Sequence, residues 1–334
     1  MNDEKILYPL CFKPVYKSVI WGGNQLSTVL GRSLPDTEDP IGESWEIVDR
    51  DDAQSEVING TLQGKSIREL IAEYGSQLLG RNFGKGSRFP LLIKLIDAGQ
   101  RLSLQVHPDA AACRNIGNGA EPKTEMWYIV AAKPGAKIIA GLNTKTTRQQ
   151  LISSLDTDEI ENHLQVFNSE PGDAFFIYSG TIHAIGAGNL LLEIQQNSDT
   201  TYRVSDWGRK DRNGQPRELH LEQAMEAIDF MNRTSPRIAG VSGSAVHNRK
   251  FPVINHCPFF KVDDLRLTGS WLDSTAHSGS FHLISAINGP VEVGSEDCFV
   301  SLEPGATCLV PAVFGSYWVN PKRSGETTVL KTTL

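Results

Sequence analysis

Apolar residues in this chain fall mostly into short runs, such as "PLLIKLID", "EMWYIVAA", "AKIIAGL", "DAFFIYSG" and "NLLLEIQQ", broken by Gly, Pro, Asn and Asp. Runs of this length bounded by turn residues predict strands, and their recurrence predicts an antiparallel sandwich or barrel. Three segments carry helical spacing instead. "SIRELIAEYGSQLLG" has Ser66 as N-cap, Glu69 three residues on, and Gly80 as its stop. "TRQQLISSLDTDEIENHLQ" reads as two short helices and "HLEQAMEAIDFM" as a third amphipathic segment. The expected fold is therefore mainly β with a few helices.

A weak internal repeat runs through this pattern. "EPGDAFFIYSGTIHA" from Glu170 is echoed by "EPGATCLVPAVFGSY" from Glu303, each a Glu-Pro-Gly turn, a short apolar strand and another turn. Eleven residues beyond the glycine stands His183 in the first copy and Ser316 in the second. Two copies of one barrel motif are expected, the second without its histidine. "PRIAGVSGSAVHNRK", rich in small and polar residues, is the expected linker, which places the domains at 1–235 and 248–334.

The segment "LSLQVHPD" sets two polar side chains into a strand. Strand side chains alternate, so Gln105 and His107 share one face while Leu104 and Val106 take the other. Burying both polar groups unpartnered costs roughly 1–3 kcal/mol each, so they need something to hold. Glu125 opens the strand of "PKTEMWYIV", and His183 lies at a turn into a strand in "SGTIHAIGAG". Three barrel strands can turn two imidazoles, a carboxylate and an amide toward one point. That mixed nitrogen and oxygen set suits Zn²⁺, with Fe²⁺, Mn²⁺ and Co²⁺ as competitors. Taken singly, a strand histidine is more often a hydrogen-bonded core residue, and Glu125 could equally be a surface charge.

Composition narrows the function class. The chain has 334 residues, 40% hydrophobic and 21% charged, with net charge -7 and no Lys/Arg block, which argues against nucleic acid as the main partner. Its five cysteines are scattered without a CxxC pair, so neither structural disulfides nor a thiolate zinc site is expected. No apolar run approaches the roughly 18 residues of a membrane span. The opening "MNDEKILYPL" lacks a basic segment followed by an apolar run, so no signal peptide is expected either. A cytoplasmic protein with a small-molecule partner is the expectation. "GNQLSTVLGRS" lacks the lysine of a phosphate-binding P-loop.

The ordered pattern of Gln105-x-His107, then Glu125, then Pro-Gly-Asp-x₆-Gly-x-x-His183 resembles the cupin superfamily, where most metal-binding members carry His-x-His in the first part. The Gln-x-His variant occurs here together with "PLLIKLIDAGQRLSLQVHPD", "PKTEMWYIV", "GTIHAIGAGNLLLEIQQNSDTTYRVSDWGR", "WGG" and "GESWEI". In these motifs the chain closely resembles the type I mannose-6-phosphate isomerases in their short bacterial form. The resemblance runs from about Lys13 to Arg209 and continues weakly through the second barrel.

That resemblance implies two cupin-type jelly-roll barrels with helices decorating the first, the first holding one zinc ion and the second metal-free. It implies that His107, Glu125, His183 and Gln105 surround the ion, Gln105 as the weakest ligand because its amide is neutral. It further implies catalytic roles for Arg203, Lys123 and Asp199, with Lys94 of "LLIKLID" at the substrate-binding wall. The expected substrate is a phosphorylated hexose, and the reaction is the interconversion of mannose 6-phosphate and fructose 6-phosphate through an enediol. The C2 proton is too weakly acidic to leave unaided, so fixed cations must meet the developing oxygen charge. Arg203 cannot lose its proton, whereas burial beside a cation would lower the Lys123 pKa toward that of a proton carrier. The alternative is a metal-dependent sugar-binding cupin that is non-catalytic or of different specificity; a pure sensor would be expected to lack Arg203 or Lys123, and both are present.

Overall fold

The computed structural model describes residues 7–155, 157–211, 213–232, 234–238 and 247–334. It is mainly β, as the apolar runs predict, and divides into two compact units. Tyr16–Ser44 with Ile93–Gly240 makes one unit; Met1–Val15, Trp45–Leu92 and Val241–Leu334 make the other. This differs from the expected division at 1–235 and 248–334. The reason is pairing that local patterning cannot reveal. Strand Leu10–Cys11 joins the C-terminal sheet beside Thr307–Val310, and Phe281 N–H donates to the Leu79 carbonyl. Of the expected linker, 239–246 lie outside the described residues, and its two ends are strands Arg237–Ile238 and Arg249–Ile254.

The first-named unit is a sandwich. One sheet orders Tyr202–Ser205, Leu104–Val106, His183–Ile185, Lys137–Leu142 and Leu164–Asn168, with each adjacent pair antiparallel. The other centres on Ala174–Ile177, Glu125–Ala132 and Asn189–Gln196. Trp127, Phe175 and Leu191 from one sheet and Ile138, Ala140 and Ile185 from the other share one buried cluster, which places the core between them. The outer face of the five-stranded sheet carries Leu104, Val106, Ala184 and Val204. Leu151 of helix Arg148–Ser154 and Ala224 of helix Leu221–Ala227 belong to the same cluster. This sheet is thus covered on both faces; on its inner face His183 is fully buried, and Gln105 and Arg203 are partly so.

The helical expectations hold in kind but not in length. Ser66 and Glu69 form the capping box that begins helix Ile67–Tyr74, yet the helix stops at Gly75, whose φ of 49° no helix accepts, and Ser76–Leu79 follows as a separate turn. Both pieces belong to the second-named unit, so helices decorate both units. Arg148–Ser154 is helical with a Thr147/Gln150 capping box, but its expected companion Asp158–His163 is a 3₁₀ helix. No described helix is long and apolar enough to cross a membrane.

The second-named unit pairs a six-stranded with a four-stranded sheet. The Glu-Pro-Gly repeat survives in structure: turns at Gly172 and Gly305, both with positive φ, lead into Ala174–Ile177 and Thr307–Val310, then into His183–Ile185 and Ser316–Pro321. The counterparts differ in direction, however. His183 is buried, Ser316 is exposed, and Tyr317 turns inward. Its Oη lies 2.7 Å from His282 Nδ1, and His282 Nε2 lies 2.9 Å from Ser278 Oγ. Lys331 Nζ donates to Asp273 Oδ2 at 2.7 Å in the same unit.

Burial and the Lys331 ammonium push the His282 imidazole down to about 4, against the pull of Asp273. An unfolded histidine takes its proton near 6.5. Between these values the unfolded chain binds the proton and the folded chain does not, so stability falls as pH drops from about 6.5 toward 4. This one group accounts for up to about 3 kcal/mol of that loss. Denaturant unfolding at pH 7 and pH 4 should therefore show a smaller loss for His282→Gln than for the unaltered protein. Equal losses in both would refute the assignment.

Candidate metal centre and its charged wall

Strands of both sheets deliver the polar side chains that the sequence singles out. Gln105 stands directly across from His183 on one neighbouring strand and from Arg203 on the other, so the three share one inner-face row. His107 follows two residues after Gln105, where the strand ends. The "HPD" turn fixes it there. The Pro108 carbonyl accepts from Lys123 N–H at 3.2 Å, and Asp109 Oδ1 caps helix Ala110–Ile116 through Ala111 and Ala112 N–H. Glu125 begins its strand from the other sheet, and Lys123 enters just before it.

His107, Glu125 and His183 are fully buried, and their ligand atoms lie within 4.8 Å of one another. Each imidazole is oriented by a backbone carbonyl. His107 Nδ1 lies 2.8 Å from the Thr200 oxygen, and His183 Nδ1 lies 2.8 Å from that of Thr181. A carbonyl only accepts, so both rings carry their proton on Nδ1 and turn an Nε2 lone pair inward. Burial and the Lys123 charge push His107 down to about 3, and burial lowers His183 as well, so both are neutral near pH 7. Burial works against ionising Glu125, but the Lys123 ammonium, with Nζ 3.0 Å from Oε2, holds its carboxyl well below the usual range.

The lone pairs then face one another. His107 Nε2 is 3.3 Å from Glu125 Oε2, and His183 Nε2 is 3.5 Å from Oε1. Apart from the Lys123 ion pair, neither Glu125 oxygen has a hydrogen-bond partner, nor does His107 Nε2. No donor lies between the imidazole nitrogens and the carboxylate oxygens, and two neutral imidazoles with one carboxylate could hold a divalent transition metal. The residues present fit the metal that the sequence implies. Gln105 is oriented differently from a ligand. Its oxygen accepts from Ser103 Oγ at 3.2 Å while its nitrogen faces His183 Nε2 at 3.3 Å, so the amide must turn over before its oxygen could reach an ion.

The other named residues divide. Lys94 is buried between two carboxylates, 3.5 Å from Glu43 Oε2 and 3.6 Å from Glu193 Oε2. Burial works against its charge, but Glu43 and Glu193 raise its pKa above the usual lysine value, with help from Asp199 and Glu125. Arg203 is half-buried. Nη1 donates to the Glu218 carbonyl at 2.6 Å, and Nε is buried with no hydrogen-bond partner. Asp199 is exposed, and its charge helps to hold Lys94 in its charged form.

Glu193 and Glu43 are absent from the sequence-based set. Glu193 accepts from Trp127 Nε1–H at 2.9 Å, and burial together with the Glu125 charge pushes it up to about 7, against Lys123 and Lys94. The signal was a carboxylate at the centre of "NLLLEIQQ", on the same face as Gln195, which pairs with Glu125. Glu43 in "GESWEI" offers no comparable cue, because only the fold brings it to Lys94. A cavity of about 690 Å³ lined by Arg101, Val204, Trp207, Arg209 and Arg217 includes none of the site residues.

Comparison with known proteins agrees with this geometry. Residues 10–121 match the family model for the phosphomannose isomerase type I catalytic domain. The chain is 38% identical over 309 residues to mannose-6-phosphate isomerase ManA of Bacillus subtilis, covering 92% of this chain and 95% of that protein. It is 36% identical over 313 residues to the mannose-6-phosphate isomerase of Streptococcus mutans, covering 92% and 94%. The solved mannose 6-phosphate isomerase from Bacillus subtilis superposes with a TM-score of 0.86 at 32% identity, covering 98% of this chain and all of that one. With such identity sustained over nearly the whole of both chains, this protein belongs to the type I phosphomannose isomerase family, built on the cupin fold.

Proposed function

We propose that the protein interconverts mannose 6-phosphate and fructose 6-phosphate, with His107, Glu125, His183 and a reoriented Gln105 around a zinc ion. The observation that carries this is a buried, convergent ligand set. Two imidazole lone pairs and a carboxylate converge in a buried site walled by Lys94, Lys123 and Glu193, with Arg203 in the same row as two of the site's side chains. Relatives named for this reaction support the substrate.

The reaction moves a proton from C2 of the open-chain aldose to C1 and spreads negative charge over two oxygens on the way. A divalent cation held by these residues would supply Lewis-acid charge for those oxygens. Arg203 adds a permanent charge, and its unpartnered Nε–H is a donor not committed to the protein. Lys123 keeps Glu125 ionised and sets an ammonium beside the reacting centre. Glu193, at about 7, is the carboxyl suited to take and return a proton near neutral pH, and the Trp127 N–H fixes its second oxygen. Lys94, held in its charged form, binds substrate. Asp199 acts from the exposed side by sustaining that charge.

Purified protein is expected to contain about one zinc per chain, the stoichiometry of a single closed ligand set. Activity should vanish with chelator and return with Zn²⁺. His183→Ala should lose most metal and activity while keeping the far-ultraviolet spectrum of the folded chain. Full metal occupancy in that variant, measured by elemental analysis, would refute the ligand assignment.

Arg203→Ala is expected to lower kcat by about 10²-fold, the loss typical of removing one donor to developing charge, with a smaller change in KM and metal content intact. Steady-state kinetics in the direction of fructose 6-phosphate formation checks this. A rise in KM at constant kcat would instead assign Arg203 to binding the phosphate.

A further inference from the structure

Two of the five scattered cysteines meet in the fold. Cys11, in strand Leu10–Cys11, stands directly opposite Cys308 of Thr307–Val310 in an antiparallel pair. Directly opposed side chains leave the same face of a sheet, and Cys11 packs against the apolar cluster that contains Cys308. Backbone hydrogen bonds show which kind of pair this is. Cys11 N–H donates to Asn59 Oδ1 at 2.8 Å, and its carbonyl accepts from Ile58 N–H at 2.9 Å. Both groups point away from Cys308, which makes this a non-hydrogen-bonded pair, the kind with Cα atoms roughly 4.5 Å apart and side chains closest together. That spacing falls within the roughly 4.4–6.8 Å found for disulfide-linked cysteines. Both thiols are free here.

We propose that Cys11 and Cys308 form an oxidation site, at which a small peroxide closes a cross-strand disulfide. Cys11 is partly exposed and Cys308 fully buried, so Cys11 reacts first. Its thiolate sulfur attacks one oxygen of hydrogen peroxide, the O–O bond breaks, and the departing hydroxide takes up the thiol proton as water. Cys11 is left as a sulfenic acid. The Cys308 sulfur then attacks the Cys11 sulfur. An S–S bond forms, the S–O bond breaks, and the hydroxyl leaves as a second water with the Cys308 proton. Two thiols lose two electrons, and one peroxide accepts them. Burial pushes the Cys11 thiol up to about 12 and raises Cys308 well above its ordinary value, so thiolate is scarce and closure is slow near neutral pH. The pair therefore stays reduced until exposure to oxidant is sustained. Once closed, the bond spans nearly the whole chain, and long closed loops restrict the unfolded ensemble most.

The test uses the reduced full-length protein, treated with hydrogen peroxide, quenched, denatured and titrated for thiols. Titratable thiols should fall from five to three, return to five with dithiothreitol, and accompany a proteolytic peptide in which Cys11 is linked to Cys308. The thermal midpoint should rise on oxidation. Cys11→Ser, and separately Cys308→Ala, should give neither the linked peptide nor the rise. Retention of all five thiols, loss that reductant does not reverse, or a linkage between other cysteines would each overturn the proposal.

Discussion

The Glu125 carboxylate, ionised and wholly removed from water, is the constraint on which its unit depends. An uncompensated ion in that position costs several kcal/mol, so the surrounding structure must supply opposite charge at close range. Lys123 does so at 3.0 Å from the strand entry, and the imidazoles of His107 and His183 close the remaining sides. Much of the nearby loop structure serves to deliver these partners. The Asp109 cap ends the His107 strand cleanly, the Pro108 carbonyl holds the Lys123 backbone, and the Thr200 and Thr181 carbonyls fix which ring nitrogen carries the proton. What remains is a concentration of lone pairs that could hold a cation.

That concentration also sets the neighbouring carboxylate apart. Glu193 shares the buried wall with Glu125, and two acids so placed cannot both ionise freely. Glu125 takes the Lys123 ammonium and stays charged. Glu193, with a Trp127 N–H and a more distant Lys94, is driven up to about 7. Two carboxyl groups separated in this way by environment alone can divide the work, one holding charge and the other exchanging a proton.

The two units use the same turn-and-strand motif to opposite ends. In one, His183 turns inward and the polar atoms around it lack partners. In the other, Ser316 turns outward, and the inward Tyr317 occupies one nitrogen of His282 while Ser278 occupies the other; Lys331 is likewise paired with Asp273. A network that satisfies itself rigidifies a core, whereas one left open at its centre invites a ligand.

The sequence by itself determined whatever depends on near neighbours along the chain. Alternation put Gln105 and His107 on one strand face, Ser66 and Glu69 capped a helix, and the Glu-Pro-Gly turns marked equivalent strands in the two units. The order of the motifs around Gln105, Glu125 and His183 was enough to indicate the family. Tertiary structure alone decided which distant segments meet. It placed Met1–Val15 and Trp45–Leu92 with the C-terminal residues, set Arg203 across from Gln105, brought Glu43 and Glu193 to Lys94, and faced Cys11 with Cys308. Side-chain alternation and helix capping act over two to four residues and are written locally. Strand register is chosen by which apolar faces bury together, and a one-residue slip would turn every side chain to the other face, so only the packed sheets fix it.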